Sequence, residues 1–561
     1  MKKIFMSLIA CALCLVSAQA QEVLYLNGDV VPLKDVVRMT TRRVKRSDFR
    51  QLLEKDQSIA IYTEALNATG IMDTLSIYVD MTYTWASWGD LIDSCTWTND
   101  RLCIPVNKSE NGGGGEYDNV AYPEKRYYNW TVFMCPDSVL EQKYGVTKVL
   151  GRDDYTSLEY LAHSLYDPMY PEDAAVNELT DRRNALNRFI SYHVLNRYGT
   201  YYTLTSMDND CLPNNFNRRK YDIRDYYETL MPHSLMKFSF PSGSEVGLYI
   251  NRRGVQSRAD EFGIFVRGTK VLKSSDFPNV QFNATNGIYH YIDDIATYGQ
   301  TTQEVVLNEN IRIECTTLSP DFMTLLTDGD KARGHWWRNG QRYSSAVNSS
   351  IAWNNPSRCV AFKPGKARNF SYDNNTHMHV RSRSLYFWAY EGDEVIIKGK
   401  YDVKVKLPSV PAGTYEVRMF MCTGFASRGI IASYIDDVPQ NITDFRPGGQ
   451  TLFGYKSDDA LGDAESREAF DNRARKRGWM KGPDCYMPGH RSIFEPSANT
   501  MRDLNNTVRR VIGTFTTDGK SDHYLRLRQL MESYNCELNF DFIELVPSSI
   551  YDNDYYPESK W

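Results

Sequence analysis

The chain has 561 residues, of which about twenty at the start read as an export signal, so the remainder allows two to four domains of about 150 residues each. Hydrophobic residues at 42%, charged residues at 24%, and 38 Tyr, 24 Phe and 10 Trp exclude global disorder. The net charge of −5, from 65 basic and 70 acidic residues, excludes the strong positive field that nucleic-acid binding requires.

Lys2-Lys3, the apolar run Ile4 to Val16 and the sequence Ser17-Ala18-Gln19-Ala20 predict a signal peptide over 1–20, cleaved before Gln21. The apolar run is too short for a spanning helix, which needs about 20 residues, and no later run reaches that length. The mature chain is therefore expected to lack a transmembrane segment. A lipid anchor at Cys11, in Leu8-Ile9-Ala10-Cys11, ranks second, because Ala12 to Val16 would then occupy a terminus where a polar tether is expected. Residues 21–45 read as a linker. The cysteines left after cleavage are odd in number and widely scattered, which matches neither a disulfide framework nor a zinc module. Only Cys95 and Cys103 lie close enough in sequence to suggest a bridge.

Residues 47 to 79 carry an amphipathic pattern (Phe49, Leu52, Leu53, Ile59, Tyr62, Ala65, Leu66) closed by Thr69-Gly70-Ile71, which predicts helices. Trp130 to Leu140 predicts a short buried strand, a proline stop at Pro136, and a helix capped by Asp137 or Ser138. Further on come Tyr192-His193 and Asn286-Gly287-Ile288-Tyr289-His290-Tyr291-Ile292-Asp293. In this order the boxes resemble a fasciclin-like domain, whose marks are T-V-F-x-P-x-D, a central Y-H pair and a closing N-G-x-x-H-x-I-D strand. The resemblance covers 46–300. It implies an α+β unit used outside cells for adhesion and ligand binding, with Tyr192, His193, Asn286, Gly287 and His290 as structural motif residues. Long insertions interrupt the pattern: one with Asn111 and Gly112 to Gly115, one from Asp153 to Asp181 with Tyr155, Tyr160, Tyr166 and Tyr170, and one around Asn209 to Asp225. Such excursions tend to be functional or mobile. Some animal relatives carry an Asp-Ile receptor-contact pair where this chain has Gln281-Phe282, so integrin-type adhesion is not carried over. His193 and His290 are read as packed, hydrogen-bonded core residues rather than metal ligands or bases, since no nucleophile or carboxylate stands at triad or zinc-helix spacing.

From Glu304 onward strands dominate. Val403 to Leu407 and Tyr415 to Met421 alternate strictly and predict half-buried antiparallel strands, with Pro408, Pro411, Ala412 and Gly413 forming a hairpin between them. Leu385–Trp388, Glu394–Ile397, Gly429–Ile435, Tyr524–Leu527 and Asn539–Val546 extend the set. They predict one all-β, jelly-roll-like sandwich over 301–548, followed by a tail over 549–561. The ending F-D-F-I-E-L-V-P resembles the last core strand of galactose-binding-like modules. The whole combination is similar to exported Bacteroidetes proteins encoded beside glycan-uptake systems.

Sugar rings stack their C–H faces on Trp and Tyr while polar side chains bond the hydroxyls. His335-Trp336-Trp337-Arg338, in a polar stretch, is the candidate ligand platform, whereas Trp388, inside an apolar strand, is expected in the core. His377 and His379 sit at alternate positions, a weak metal candidate without a third ligand. Glu391, Asp393 and Glu394 fall in an expected turn and read as a solvated face rather than as a glycosidase carboxylate pair. The sequence thus predicts an exported cell-envelope binding protein for a glycan or another surface macromolecule. It is read as non-catalytic and without cofactor, with outer-membrane glycan-uptake proteins as its expected associates. The alternatives are a glycan-active hydrolase and a structural envelope component.

Overall fold

The computed structural model describes most of 47–82, 128–205, 223–254, 263–324, 359–382, 393–446, 465–483 and 507–552, together with short strands at 23–26, 29–32, 103–105 and 121–123. His335, Trp336, Trp337, Arg338, Trp388, Glu391, Cys11 and Cys95 lie outside the described residues. The described chain is largely β-sheet with few helices.

The apolar pattern of 47–79 becomes three short helices, α1 (Phe49–Leu53), α2 (Ala60–Ala68) and α3 (Ile71–Leu75), with Gly70 at φ +71° making the left-handed corner between the last two. After them come strand β1 (Trp130–Met134), α4 (Asp137–Tyr144), α5 (Leu158–Tyr166), α6 (Ala185–Tyr192), β2 (Val194–Leu195) and β3 (Gly287–Tyr291). Every residue of β1 and β3 is buried. Helix α4 begins at Asp137, but neither Asp137 nor Ser138 caps it. The Asp137 carboxylate instead accepts from the Ile61 N–H of α2 at 3.2 Å. A local cap motif was legible in sequence, but the carboxylate's partner lies 76 residues away.

Further along the chain, β4 (Ile311–Glu314), β5 (Thr376–Ser382) and β6 (Asp393–Gly399) enter a ten-stranded sheet, and β7 (Asp402–Lys406) enters a five-stranded one. Next, β8 (Gly413–Cys422) and β9 (Thr507–Thr517) join the larger sheet, β10 (Tyr524–Gln529) the smaller and β11 (Glu537–Pro547) the larger. The apolar sides of the two sheets meet as a β-sandwich: Val417, Met419 and Leu545 from one, Val403, Leu525 and Leu527 from the other, all buried. The expected hairpin between 403–407 and 415–421 does not form. β7 pairs with Phe370–Tyr372 and β10, whereas β8 pairs with β9 and β11, so the Pro408–Gly413 connection crosses from one sheet to the other. Alternation identifies a strand but not its neighbour, and two prolines lacking N–H groups suit a crossover as well as a turn. Asp393 and Glu394 likewise stand in β6 rather than in a turn, with Glu394 opposite Arg381.

Buried cations tie the segment joining the two halves to the preceding sheet. Glu309 takes Arg224 at 2.8 Å, Lys237 and the Tyr226 hydroxyl at 2.6 Å, and Arg253 donates to the Val305 and Asn308 carbonyls. Arg197 donates to the Thr317 carbonyl at 2.6 Å. Immediately beyond Glu309, β4 pairs with β11 of the larger sheet. The insertion strand Ala121–Pro123 also joins that sheet, opposite Val360.

Candidate functional site

The three sequence boxes of the first half converge on one sheet. β3 runs parallel to β1, with Gly287 opposite Trp130 and Tyr291 opposite Met134, and β2, directly after Tyr192-His193, pairs antiparallel to β1. Gly287 permits this approach, since a Cβ there would stand 2.4 Å from the Trp130 carbonyl oxygen and 2.5 Å from the Phe49 ring. The Asn286 amide donates to the Leu75 carbonyl at 2.6 Å, fixing α3 to the sheet. The His193 Nδ1–H donates to the Phe189 carbonyl at 2.7 Å, and its Nε2 accepts from the Ala296 N–H at 3.2 Å. His290 donates from Nε2 to the Gly199 carbonyl at 2.9 Å. Burial holds both imidazoles down at about 4, so both are neutral at physiological pH. The Tyr192 hydroxyl reaches the Leu235 carbonyl at 3.2 Å inside the same core.

The larger sheet of the sandwich carries a second constellation, on the side facing away from the smaller sheet. Register places Arg312 of β4 opposite Glu544 of β11, and Arg418 of β8 opposite the same Glu544. Glu544 accepts from Arg312 Nε at 3.0 Å and Nη2 at 2.7 Å, and from Arg509 Nη1 at 3.1 Å, with Arg418 Nη1 at 3.6 Å. Arg418 also donates to Glu416 at 2.6 Å, and Glu416 in turn takes Arg475 at 2.5 Å. Burial alone would raise the Glu544 carboxyl, but the three guanidiniums, Arg509 foremost, hold it at about 2. Beside this network Phe420 and Phe542 stack with ring centroids 4.4 Å apart and planes 5° from parallel, and Arg312 lies over the Phe542 ring. All of these side chains are buried except Arg475, which is partly exposed. The strict alternation of β8 therefore does not expose its polar side to water, as half-burial would require, because its charges are paired across three neighbouring strands. β7 behaves as the pattern predicts, with Lys404 and Lys406 partly exposed.

His377 and His379 fall on β5 opposite Lys398 and Ile396, at alternate positions in the register. Among the described residues there is no group of three or more His, Cys, Asp or Glu side chains placed to hold a metal ion. Sequence reasoning overlooked Arg312, Arg418, Arg509 and Glu544. The available signal was a charge inside each apolar run, in I-R-I-E, E-V-R-M-F-M and F-I-E-L-V, with opposite signs to be matched between strands. Of the four insertion tyrosines, Tyr166 is buried and accepts from the Tyr298 N–H at 3.3 Å, and Tyr170 lies under Arg188, 3.8 Å from its ring centroid. Tyr155 and Tyr160 face solvent.

These features define a β-rich protein whose sandwich carries a buried arginine–glutamate network on its larger sheet. No protein-family model matches the chain, and no curated protein matches it. Among solved structures, a Paenibacillus xanthan lyase aligns with 30% of this chain and 12% of its own at 12% identity and a TM-score of 0.18. An exo-β-1,3-galactanase from Phanerochaete chrysosporium bound to β-1,3-galactotriose aligns with 34% and 29% at 10% identity and a TM-score of 0.17. The same enzyme with galactose aligns with 33% and 29% at 9% identity and a TM-score of 0.17. The aligned part thus spans less than a third of either neighbour, and at these scores it assigns no activity. No helix among the described residues is long and apolar enough to cross a membrane.

Proposed function

We propose that the chain is an exported, non-catalytic binding protein of the cell envelope. In this reading a fasciclin-like unit over 46–300 is the adhesion scaffold. A jelly-roll-like, galactose-binding-like sandwich over 301–548 is the ligand module for a glycan or another surface macromolecule, and outer-membrane glycan-uptake proteins are its associates. The observation that carries the scaffold reading is the parallel pairing of the T-V-F strand with the N-G-x-x-H strand, closed by the strand that follows the Y-H pair. Four buried ionisable groups offer hydrolysis no proton donor, whereas burial raises the Asp137 carboxyl to about 6. His193 and His290 are buried and spend their ring protons on carbonyls, and Glu544 and Glu309 are held ionised by cations, so none is poised as a general acid near neutral pH.

A glycan-array screen of the mature chain, run beside a reducing-end assay on every polysaccharide retained, tests the proposal. Retention without release of new reducing ends is expected. Release would replace the proposal with the hydrolase alternative, and no retention with intact folding would favour a structural envelope component. Mass spectrometry of the envelope fraction is expected to find an unlipidated terminus at Gln21, and an acylated Cys11 would overturn that placement.

A further inference from the structure

The segment from Thr147 to Glu159, which leads into the second insertion, builds a closed surface loop. The Thr147 N–H donates to the Thr156 carbonyl at 2.8 Å, Leu158 N–H to the Lys148 carbonyl at 2.9 Å, and Glu159 N–H to the Val149 carbonyl at 2.9 Å. Within it, Asp154 N–H donates to the Gly151 carbonyl, Gly151 N–H to the Glu159 carboxylate at 2.7 Å, and the Ser157 hydroxyl to the Gly151 carbonyl at 2.6 Å. Gly151 has φ +140°, and a Cβ there would come within 3.0 Å of the Asp154 side chain, so the corner is built for glycine. The loop is thus held by its own hydrogen bonds, and Val149 and Leu158 anchor it in the core.

This turn presents apolar and charged groups together, among them the Lys148–Asp154 ion pair. Leu150 and Tyr155 flank the Gly151–Asp154 turn and are 46% and 74% exposed, and Tyr160, on the first turn of α5 next to Glu159, is 42% exposed. Beside them Asp153 is exposed. Neither the Asp153 carboxylate nor the Tyr155 and Tyr160 hydroxyls have a hydrogen-bond partner among the described residues. Arg152, by contrast, is tied down by Asn177 and the Ala174 carbonyl.

We propose that this loop is a saccharide subsite, with Tyr155 and Tyr160 as stacking platforms and Asp153 as a hydroxyl acceptor. The inference rests on the glycan-binding reading above and places one contact surface of it in the first half of the chain. Size decides between a sugar and a protein partner. At these exposures three side chains offer roughly 300 Å², whereas a stable protein interface needs about 800 Å² from each partner. A short saccharide fits that area, and its mixture of C–H faces and hydroxyls matches two aromatic rings beside an open carboxylate. The loop's internal bonds leave little ordering cost to be met on binding.

Affinity electrophoresis of the full mature chain in gels containing, in turn, a galactan, a xylan and mucin O-glycans tests the subsite. The chain is expected to be retarded by at least one of them. Tyr155→Ala combined with Tyr160→Ala is expected to weaken that retardation at least about tenfold, and Tyr155→Phe with Tyr160→Phe to keep most of it. Melting temperatures should be unchanged, because both rings lie outside the core. Retardation that survives the double alanine change overturns the subsite while leaving the glycan reading standing. No retardation of the unmodified chain in any gel overturns the glycan reading, and the subsite with it. Sedimentation showing self-association that the same substitutions abolish would assign the loop to a second copy of the chain instead.

Discussion

Replacing Glu544 by glutamine keeps the side chain's shape and removes the charge on which Arg312, Arg418 and Arg509 converge. Arg418 would keep Glu416, which also serves Arg475, while Arg312 and Arg509 would lose the carboxylate they share. Breaking a buried pair by removing one partner costs about 3–5 kcal/mol. Linkage gives an independent figure. Holding the carboxyl at about 2 instead of its ordinary 4.5 corresponds to on the order of 3 kcal/mol, present above pH 4.5 and lost as pH falls toward 2. The two routes agree in size. Urea unfolding followed by tryptophan fluorescence at pH 7 should show Glu544→Gln destabilised by about 3–5 kcal/mol. Repeated at pH 3, the gap between variant and parent should shrink, because the unfolded parent takes up a proton at Glu544 that the folded one still excludes. A variant within about 1 kcal/mol of the parent at pH 7, with an unchanged gap at pH 3, would refute the reasoning and mean that the network behaves like exposed ion pairs. The exposed pair Lys520–Glu172 supplies that control, with Glu172→Gln expected to leave the urea midpoint close to the parent's.

His193 and His290 are held at about 4 against an ordinary 6.5, so the unfolded chain takes up protons first. Stability should therefore fall as pH drops from 6.5 toward 4, by up to on the order of 3 kcal/mol for each ring. Denaturant midpoints at pH 7 and pH 5 read this directly, and NMR should show both imidazoles failing to titrate above pH 5. Gly287→Ala drives a Cβ into the Trp130 carbonyl and the Phe49 ring, and is expected to cost several times the roughly 1 kcal/mol of Gly145→Ala, where φ is +69° but nothing lies within 4 Å. Comparing the two melting temperatures checks it. At least one of Trp336→Ala and Trp337→Ala is expected to weaken polysaccharide binding by about 1–3 kcal/mol without lowering the melting temperature. Calorimetric titration beside thermal melts separates that outcome from loss of a core side chain, which costs about 3–5 kcal/mol of stability.

What was legible in the sequence was local. The helices of 47–79, the strand at Trp130–Met134 and the alternation of 403–407 and 415–421 each follow from apolar spacing within a dozen residues. What was not legible depends on partners far along the chain. Asp137 looks like the cap of its own helix yet binds the start of α2, and the prolines at 408 and 411 look like a hairpin yet mark a crossing between sheets. The polar positions of β8 look solvated until β11 brings Glu544 opposite Arg418 and Arg475 reaches Glu416. Period reports the face on which a residue stands, and only topology reports what covers that face.

The same distinction explains why the segment after residue 300, which composition marks as a change of pattern, behaves structurally as a fastening. Lys237, 3% exposed, would be prohibitively costly without Glu309, and Glu309 without Lys237 and Arg224, so each half contributes a charge that only the other neutralises. Burial pulls the Lys237 ammonium down to about 8, and neighbouring cations hold Glu309 at about 2. Two residues past Glu309 the backbone enters β4 and hands the chain to β11, whose Glu544 repeats the arrangement with three arginines. Buried carboxylates thus stand at both ends of this segment, and in both places a charge that would be costly alone becomes a constraint on which strands can be neighbours.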